Sequence, residues 1–256
     1  MEPVTPAETP PAGPQEGETM EVLLNGALKV CQAEKGYRFS LDALLLASFF
    51  REKRAENILE IGTGSGIISL ILAARNPTVR IKGLEIQADL ADLARRNVAL
   101  NNLAERISIE TKDIRQVNGE PIFDAAVFNP PYRRVNAGRA NNHPQKAIAR
   151  HEIEGGLRDF LRGACRLLKP FGRAAFIYPA ARGGEAIYVM RRERIEPKRM
   201  RIVHSYPHSP GQFLLLEGLK DGGEELHILP PLFIYDEGKT YSQEMKQIFL
   251  DLGTSL

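Results

Sequence analysis

The stretch LEIGTGSGIISL, residues 59–70, joins a short apolar run to a helical one through three glycines, Gly62, Gly64 and Gly66. Glycine suits points where the backbone turns sharply or where a ligand approaches main-chain N–H groups closely. A dinucleotide-binding turn reads G-x-G-x-x-G and would need glycine at position 67, which is Ile67. Here the spacing is G-x-G-x-G, and Glu60 stands two residues before the first glycine. A carboxylate at that place suits an ammonium group and not a pyrophosphate.

Outward from this loop the chain alternates. NILEI (57–61) reads as a strand, GIISLILAAR (66–75) as a helix and VRIKGLEI (79–86) as a strand. QADLADLARRNVALNN (87–102) is an amphipathic helix with Leu90, Leu93, Ala94 and Val98 on one face. ISIE (107–110) and DAAVF (124–128) are further strands. GGLRDFLRGACRLLK (155–169) is a helix stopped by Pro170, RAAFIYP (173–179) a strand and ARGGEAIYVMRRER (181–194) a helix. RMRIVHSY (199–206) and QFLLLEGLK (212–220) follow with no helix between them, so they pair antiparallel. Alternation of this kind means βαβ units, hence an α/β fold with a parallel sheet between two helical layers. Before it, EVLLNGALKV (21–30) reads as a hairpin turning at Asn25-Gly26, and SLDALLLASFF (40–50) as a short helix capped by Ser40 or Asp42.

Two more acids sit at strand ends. Glu85 closes the second strand of the array, where it can accept hydrogen bonds from ribose hydroxyls, and Asp113, past the third, can read an adenine amine. An acid near a cation, one on ribose and one on adenine together describe S-adenosylmethionine. Over about residues 36–219 the arrangement resembles the class I methyltransferases. That resemblance implies a Rossmann-like fold: a seven-stranded, mostly parallel sheet with a C-terminal antiparallel hairpin strand, plus the short N-terminal hairpin and helix. It implies a ribose role for Glu85 and an adenine role for Asp113.

The fourth strand runs into AVFNPPYRR (126–134), which puts Asn129, Pro130, Pro131 and Tyr132 at the carboxyl edge of the sheet beside the glycine loop. A nitrogen conjugated to a ring or carbonyl is a poor nucleophile, because its lone pair is delocalised. The Asn129 side-chain oxygen and the Pro130 carbonyl are two acceptors able to hold such an amine, and the prolines keep that carbonyl aimed. Tyr132 offers a stacking surface for a planar substrate. The tetrapeptide resembles the signature of methyltransferases acting on planar nitrogens, adenine amines or glutamine amides; Asn129 counts in both the catalytic and the cofactor set. GYRFSLDALLLASF (36–49), LNGALKVCQ, ARHE (149–152) and PPLFIYDEGKTYSQEM (230–245) resemble the bacterial tRNA adenine-N6 methyltransferases that act on valine tRNA beside the anticodon. This likeness implies that Tyr37, Phe39 and Asp42 fold over the methionine part of the cofactor. It makes tRNA the expected substrate; protein glutamine, ribosomal RNA and DNA are the alternatives, and an RNA-binding module with a vestigial cofactor fold is the non-enzymatic one.

Composition agrees. Residues 1–19 hold five prolines, four acids and no base, and read as a disordered tail; residues 20–256 read as one domain, with a cover at 20–55, a core at 56–220 and an extension at 221–256. Without those four acids, 34 basic residues face 28 acidic ones, which suits a polyanionic partner. Arg133, Arg134, Arg139, Lys146 and Arg150 form a candidate RNA-binding loop past Tyr132; Arg191, Arg192, Arg194, Lys198, Arg199 and Arg201 form a second basic run. No apolar run reaches the roughly 20 residues of a membrane span, no secretory leader is evident, and Cys31 and Cys165 lack metal or disulfide spacing. The expectation is a cytoplasmic enzyme without metal, monomeric for want of any contrary sign.

Overall fold

The computed structural model of the chain describes residues 13–35, 38–132, 156–238 and 240–252. β1 (Glu18–Leu23) and β2 (Leu28–Ala33) pair antiparallel as a hairpin apart from the main sheet. Its turn has positive φ at Leu24 (51°), Asn25 (52°) and Gly26 (95°), the region that asparagine and glycine tolerate best. Strand order begins at Glu18, inside the stretch read as tail. The Glu18 carboxylate accepts from the Arg96 guanidinium at 2.9 Å, so a partner 78 residues away holds a segment whose own composition would not.

α1 (Leu41–Phe49) buries residues all round its circumference, as an evenly apolar helix must. Its N-cap is Ser40 by backbone conformation, but no side chain bonds the free N–H groups there. The alternating array follows: β3 (Asn57–Ile61), α2 (Ile67–Arg75), β4 (Arg80–Glu85), α3 (Ala88–Leu100), β5 (Ile107–Thr111), β6 (Phe123–Phe128), α4 (Leu157–Leu167), β7 (Leu168–Pro179), α5 (Gly183–Arg192), β8 (Ile195–His204) and β9 (Gly211–Lys220). β10 (His227–Ile228), β11 (Leu232–Phe233) and α6 (Gln243–Asp251) complete the chain.

The main sheet runs β10-β8-β9-β7-β6-β3-β4-β5, with β11 also on β8. β3 to β7 are parallel, and β9 is antiparallel to both β7 and β8. Seven strands match the expectation; the two-residue β10 and β11 make nine, because the C-terminal extension lays short segments along the outer edge of β8. The chain winds outward from β3 to β5, then returns to β6 on the other side of β3. That reversal opens a crevice at the carboxyl ends of β3 and β6, where sheets of this kind bind ligands.

Side chains alternate across the sheet. Ile58, Ala125, Val127 and Ile177 share one core with α1, α2 and α6; Leu59, Ala126, Phe128 and Phe176 share the other with α4 and α5. Pro170 does not stop α4, which ends at Leu167; it lies within β7. The β6–β7 register shifts between Phe123–Leu168 and Ala125–Arg173, so the missing N–H of the proline falls where the ladder is already interrupted.

Candidate active site

The glycine loop takes left-handed backbone at all three glycines, with φ of 71° at Gly62, 57° at Gly64 and 86° at Gly66. A side chain at Gly62 would press on the Phe160 ring (3.3 Å), and one at Gly66 on Ala94 of α3 (3.4 Å), so the loop packs closely as well as turning. Gly62 and Thr63 donate to the Leu84 carbonyl at 2.8 and 3.1 Å, tying the loop to β4.

Glu60 is 1% exposed and lies beneath this loop. Its Oε2 accepts from the Thr63 hydroxyl (2.7 Å), the Ser69 main-chain N–H (3.0 Å) and the Ser69 hydroxyl. Burial pushes its carboxyl up to about 7, against the pull of those donors, and the nearby Glu85 charge adds to the rise. Glu60 thus braces the loop onto the first turn of α2, a task the sequence did not reveal. Glu85, also buried, accepts from Gly64 N–H (2.8 Å) through one oxygen and from Gln87 N–H (3.0 Å) through the other. A carboxylate oxygen can accept more than one hydrogen bond, so a carboxylate at this strand end has the chemistry that a hydroxyl ligand calls for. Asp113 follows β5 and is held by Arg115, through its main-chain N–H at 2.9 Å and its guanidinium at 2.6 Å. Burial would raise the Asp113 carboxyl, but the Arg115 contacts carry it below the ordinary aspartate value.

Asn129 leaves β6 beside this loop, since the last β6 residue, Phe128, pairs with Ile61. Pro130 is buried, and Asn129, Pro131 and Tyr132 are half-buried. The Tyr132 hydroxyl lies 3.0 Å from Asp42 Oδ2 and also against Asn129 Oδ1, and Asn129 Nδ2 reaches Asp42 Oδ2 at 3.5 Å. One hydroxyl has one proton, so Asp42 and Asn129 compete for it. The helix residue read as a possible cap therefore points into the site. The Tyr132 ring stands edge-on to Tyr178 (6.1 Å) and tilted on Phe213 (5.9 Å).

Phe39 packs against the core beside α1, and its main-chain N–H donates to Gln32 Oε1 at 2.9 Å. Tyr37 lies outside the described residues, as do Arg133, Arg134, Arg139, Lys146 and Arg150. Four of the six residues of the second basic run have acidic partners: Arg191 pairs with Glu196, Arg194 with Asp221, Arg199 with Glu217 and Arg201 with Glu244. No helix among the described residues is long and apolar enough to cross a membrane.

Thr63, Ser69 and Asn97 are the supporting residues that the sequence pattern passed over. Asn97 is fully buried on α3; its Oδ1 accepts from Cys31 N–H (2.7 Å), and its Nδ2 donates to the carbonyls of Cys31 and Ser65, both at 2.9 Å. It fastens the hairpin to the glycine loop. The available signal was a polar residue on an otherwise apolar helix face, Ser69 within IISLIL and Asn97 beside Leu93, Ala94 and Val98.

The donor set fits S-adenosylmethionine. The glycine loop and the carboxylates Glu60, Glu85 and Asp113 stand at the ends of β3, β4 and β5, a set whose chemistry is compatible with a ligand that carries a cation, a ribose and an amine. Residues 38–177 match the Methyltransferase small domain family. A Porphyromonas gingivalis protein named tRNA1(Val) (adenine(37)-N6)-methyltransferase is 34% identical over 189 residues, 70% of this chain and 73% of that protein. A Vibrio vulnificus protein of the same name is 29% identical over 87% of this chain and 91% of its own length. Among solved structures, a predicted O-methyltransferase from Agrobacterium tumefaciens superposes with a TM-score of 0.68 at 21% identity, over 84% of this chain and 98% of that one. An S-adenosylmethionine-dependent O-methyltransferase from Thermotoga maritima gives 0.53 at 18% identity, over 75% and 69%. These two share the fold. With its domain match and its identity to the Porphyromonas protein, the chain belongs to the Methyltransferase small domain family, among the tRNA1(Val) (adenine(37)-N6)-methyltransferases.

Proposed function

We propose that this methyltransferase acts on the N6 amine of an adenine in tRNA, beside the anticodon of a valine tRNA, in the cytoplasm. The observation that carries the reading is the Asn129-Pro130-Pro131-Tyr132 turn seated next to the glycine loop, with Asn129 and Tyr132 converging on Asp42. When bound, S-adenosylmethionine supplies an electrophilic methyl group on a sulfonium centre. The residues of this chain have only to bring a weak nucleophile into line with it, and such positioning can supply about 7–11 kcal/mol of a barrier. Glu85 is the group to hold the ribose, Asp113 the adenine of the cofactor, and Glu60 keeps the loop in shape.

The target amine takes the place at Asn129 Oδ1 now held by the Tyr132 hydroxyl, and its second N–H goes to the Pro130 carbonyl. With both N–H groups held, the nitrogen lone pair turns out of conjugation and faces the methyl group. Tyr132, released, stacks on the base, and the proton shed after transfer goes to water. A base inside a helix cannot reach this edge, so the adenine must be unstacked, as anticodon-loop bases readily are.

The test is methyl transfer from labelled S-adenosylmethionine to separate pools of unmodified tRNA, ribosomal RNA, DNA and release factors, followed by nucleoside mass spectrometry. Label in tRNA as N6-methyladenosine is expected. Label in protein alone would put a glutamine amide at Asn129 and overturn the tRNA reading.

A further inference from the structure

Arg182 ends the single 3₁₀ turn, Ala180–Arg182, that follows β7. Its Nη1 donates to the main-chain carbonyl of Tyr132 at 2.8 Å. Its guanidinium carbon sits 4.8 Å from the centre of the Tyr178 ring, and Nε and Nη2 each hold Glu185 at 2.7 Å. Tyr178 is fully buried and stands edge-on to the Tyr132 ring. The side chain is thus fixed by a buried ring and a two-pronged carboxylate while it grips the last residue of the catalytic turn.

The turn needs such a grip. Phe128 is locked between Ile61 and Phe176 in the sheet, which fixes the Asn129 end. Proline fixes φ at positions 130 and 131, and Pro131 confines ψ of Pro130 to the extended region, but ψ of Pro131 itself has no such restraint. Tyr132 lies four residues past β6, so a rotation about that bond would swing its ring and carbonyl together. Among the described residues, Arg182 is the guanidinium that reaches across from the β7 side to stop this.

We infer that Arg182 is a positioning residue for methyl transfer: by holding the Tyr132 carbonyl it sets the plane on which the target base rests, and so the line between the amine and the methyl group. The inference builds on the adenine-methylation reading. It requires a planar fork, because the guanidinium stacks on Tyr178, bonds a carbonyl and pairs with Glu185 at once; the compact ammonium of lysine cannot do all three.

The experiment compares wild type with Arg182→Lys and Arg182→Ala in single-turnover methyl transfer to an unmodified valine tRNA transcript, both substrates saturating. Cofactor affinity and thermal midpoint are measured alongside, and methylguanidinium is titrated into each enzyme. Misplacement on the scale of an ångström costs about 10²-fold, so both variants should lose rate by about that factor with cofactor affinity unchanged. Methylguanidinium should restore part of the rate to Arg182→Ala and none to Arg182→Lys, whose ammonium fills the space. Unaltered rates in the variants, or a loss matched by equal loss of cofactor binding and not rescued, would overturn the positioning role and leave the function standing. A wild-type enzyme that methylates no tRNA would overturn the function, and this inference with it.

Discussion

Glu60 carries an acid into a place where, among the described residues, no base pairs with it. Among the described contacts, its partners are two hydroxyls and one main-chain N–H, neutral donors that satisfy one carboxylate oxygen without neutralising its charge. Hence its carboxyl is raised from 4.5 to about 7 by burial. A carboxyl raised on folding contributes stability below its unfolded value, and that contribution is lost as pH climbs through about 7. Glu60→Gln keeps an acceptor for Thr63 and Ser69 and cannot ionise. Without cofactor, the variant should therefore gain on wild type between about pH 5 and about pH 8, by up to about 3 kcal/mol. Denaturant titrations at both pH values measure this, and a pH-independent difference would show that Glu60 does not titrate in this window. The cationic methionine end of the cofactor should reverse the trend by favouring the carboxylate, so cofactor binding at pH near 6 should release protons, measurable as buffer-dependent binding heat.

At the scale of elements, the hairpin was legible because its turn is local: Asn25-Gly26 specifies positive φ wherever it stands. Its attachment was not. β2 is docked by the amides of Asn97 on α3 and of Asn101 at its C-cap, which bond both polar groups of Cys31 and Lys29 as a neighbouring strand would. Those pairs are 66 and 72 residues apart, and only the folded chain brings them together. The end of α4 failed for a related reason: proline breaks helices, but a shifted strand register also accepts it. Asn97→Ala should lower unfolding free energy by about 1–3 kcal/mol, since it leaves buried main-chain groups of Cys31 and Ser65 unmatched. It should also weaken cofactor binding, because Ser65 belongs to the glycine loop. Equal losses with and without saturating cofactor would deny the link to the loop. A second buried network, Arg173 with Glu56 at 2.7 Å and Glu217 at 3.1 Å, ties β7 to β9 and to the start of β3. Glu217→Ala strips Arg173 and Arg199 of a shared partner while Arg173 keeps Glu56, and the expected cost, read from chemical unfolding, is about 1.5–3 kcal/mol.

For the whole molecule, the parallel sheet and the placement of Glu60, Glu85 and Asn129 at one edge followed from alternation, because all three stand at or beside the carboxyl ends of strands, and parallel strands bring those ends to one side. The convergence of Asp42, Asn129, Tyr132 and Arg182 did not, since they come from three segments, α1, the turn after β6 and the turn after β7, which only the folded chain brings together. The acidic partners of the 191–201 run were not legible for the same reason: Arg201 pairs with Glu244, 43 residues away. Cofactor binding as proposed, bridging the ends of β3, β4 and β5, would be a global event. A ligand at a hundred times its dissociation constant adds about 2.7 kcal/mol to the folded state, and a domain of this size shifts by about 2–4 °C per kcal/mol. S-adenosylmethionine should therefore raise the thermal midpoint by about 5–10 °C. Glu85→Ala should remove most of that shift, having lost both the ribose acceptor and the brace on Gly64. Asn129→Ala should keep the shift and lose turnover, because the amine acceptor is gone while the loop is intact. A single series of melting curves separates the two: if Asn129→Ala also abolishes the shift, the NPPY asparagine holds the cofactor and its assignment to the amine falls.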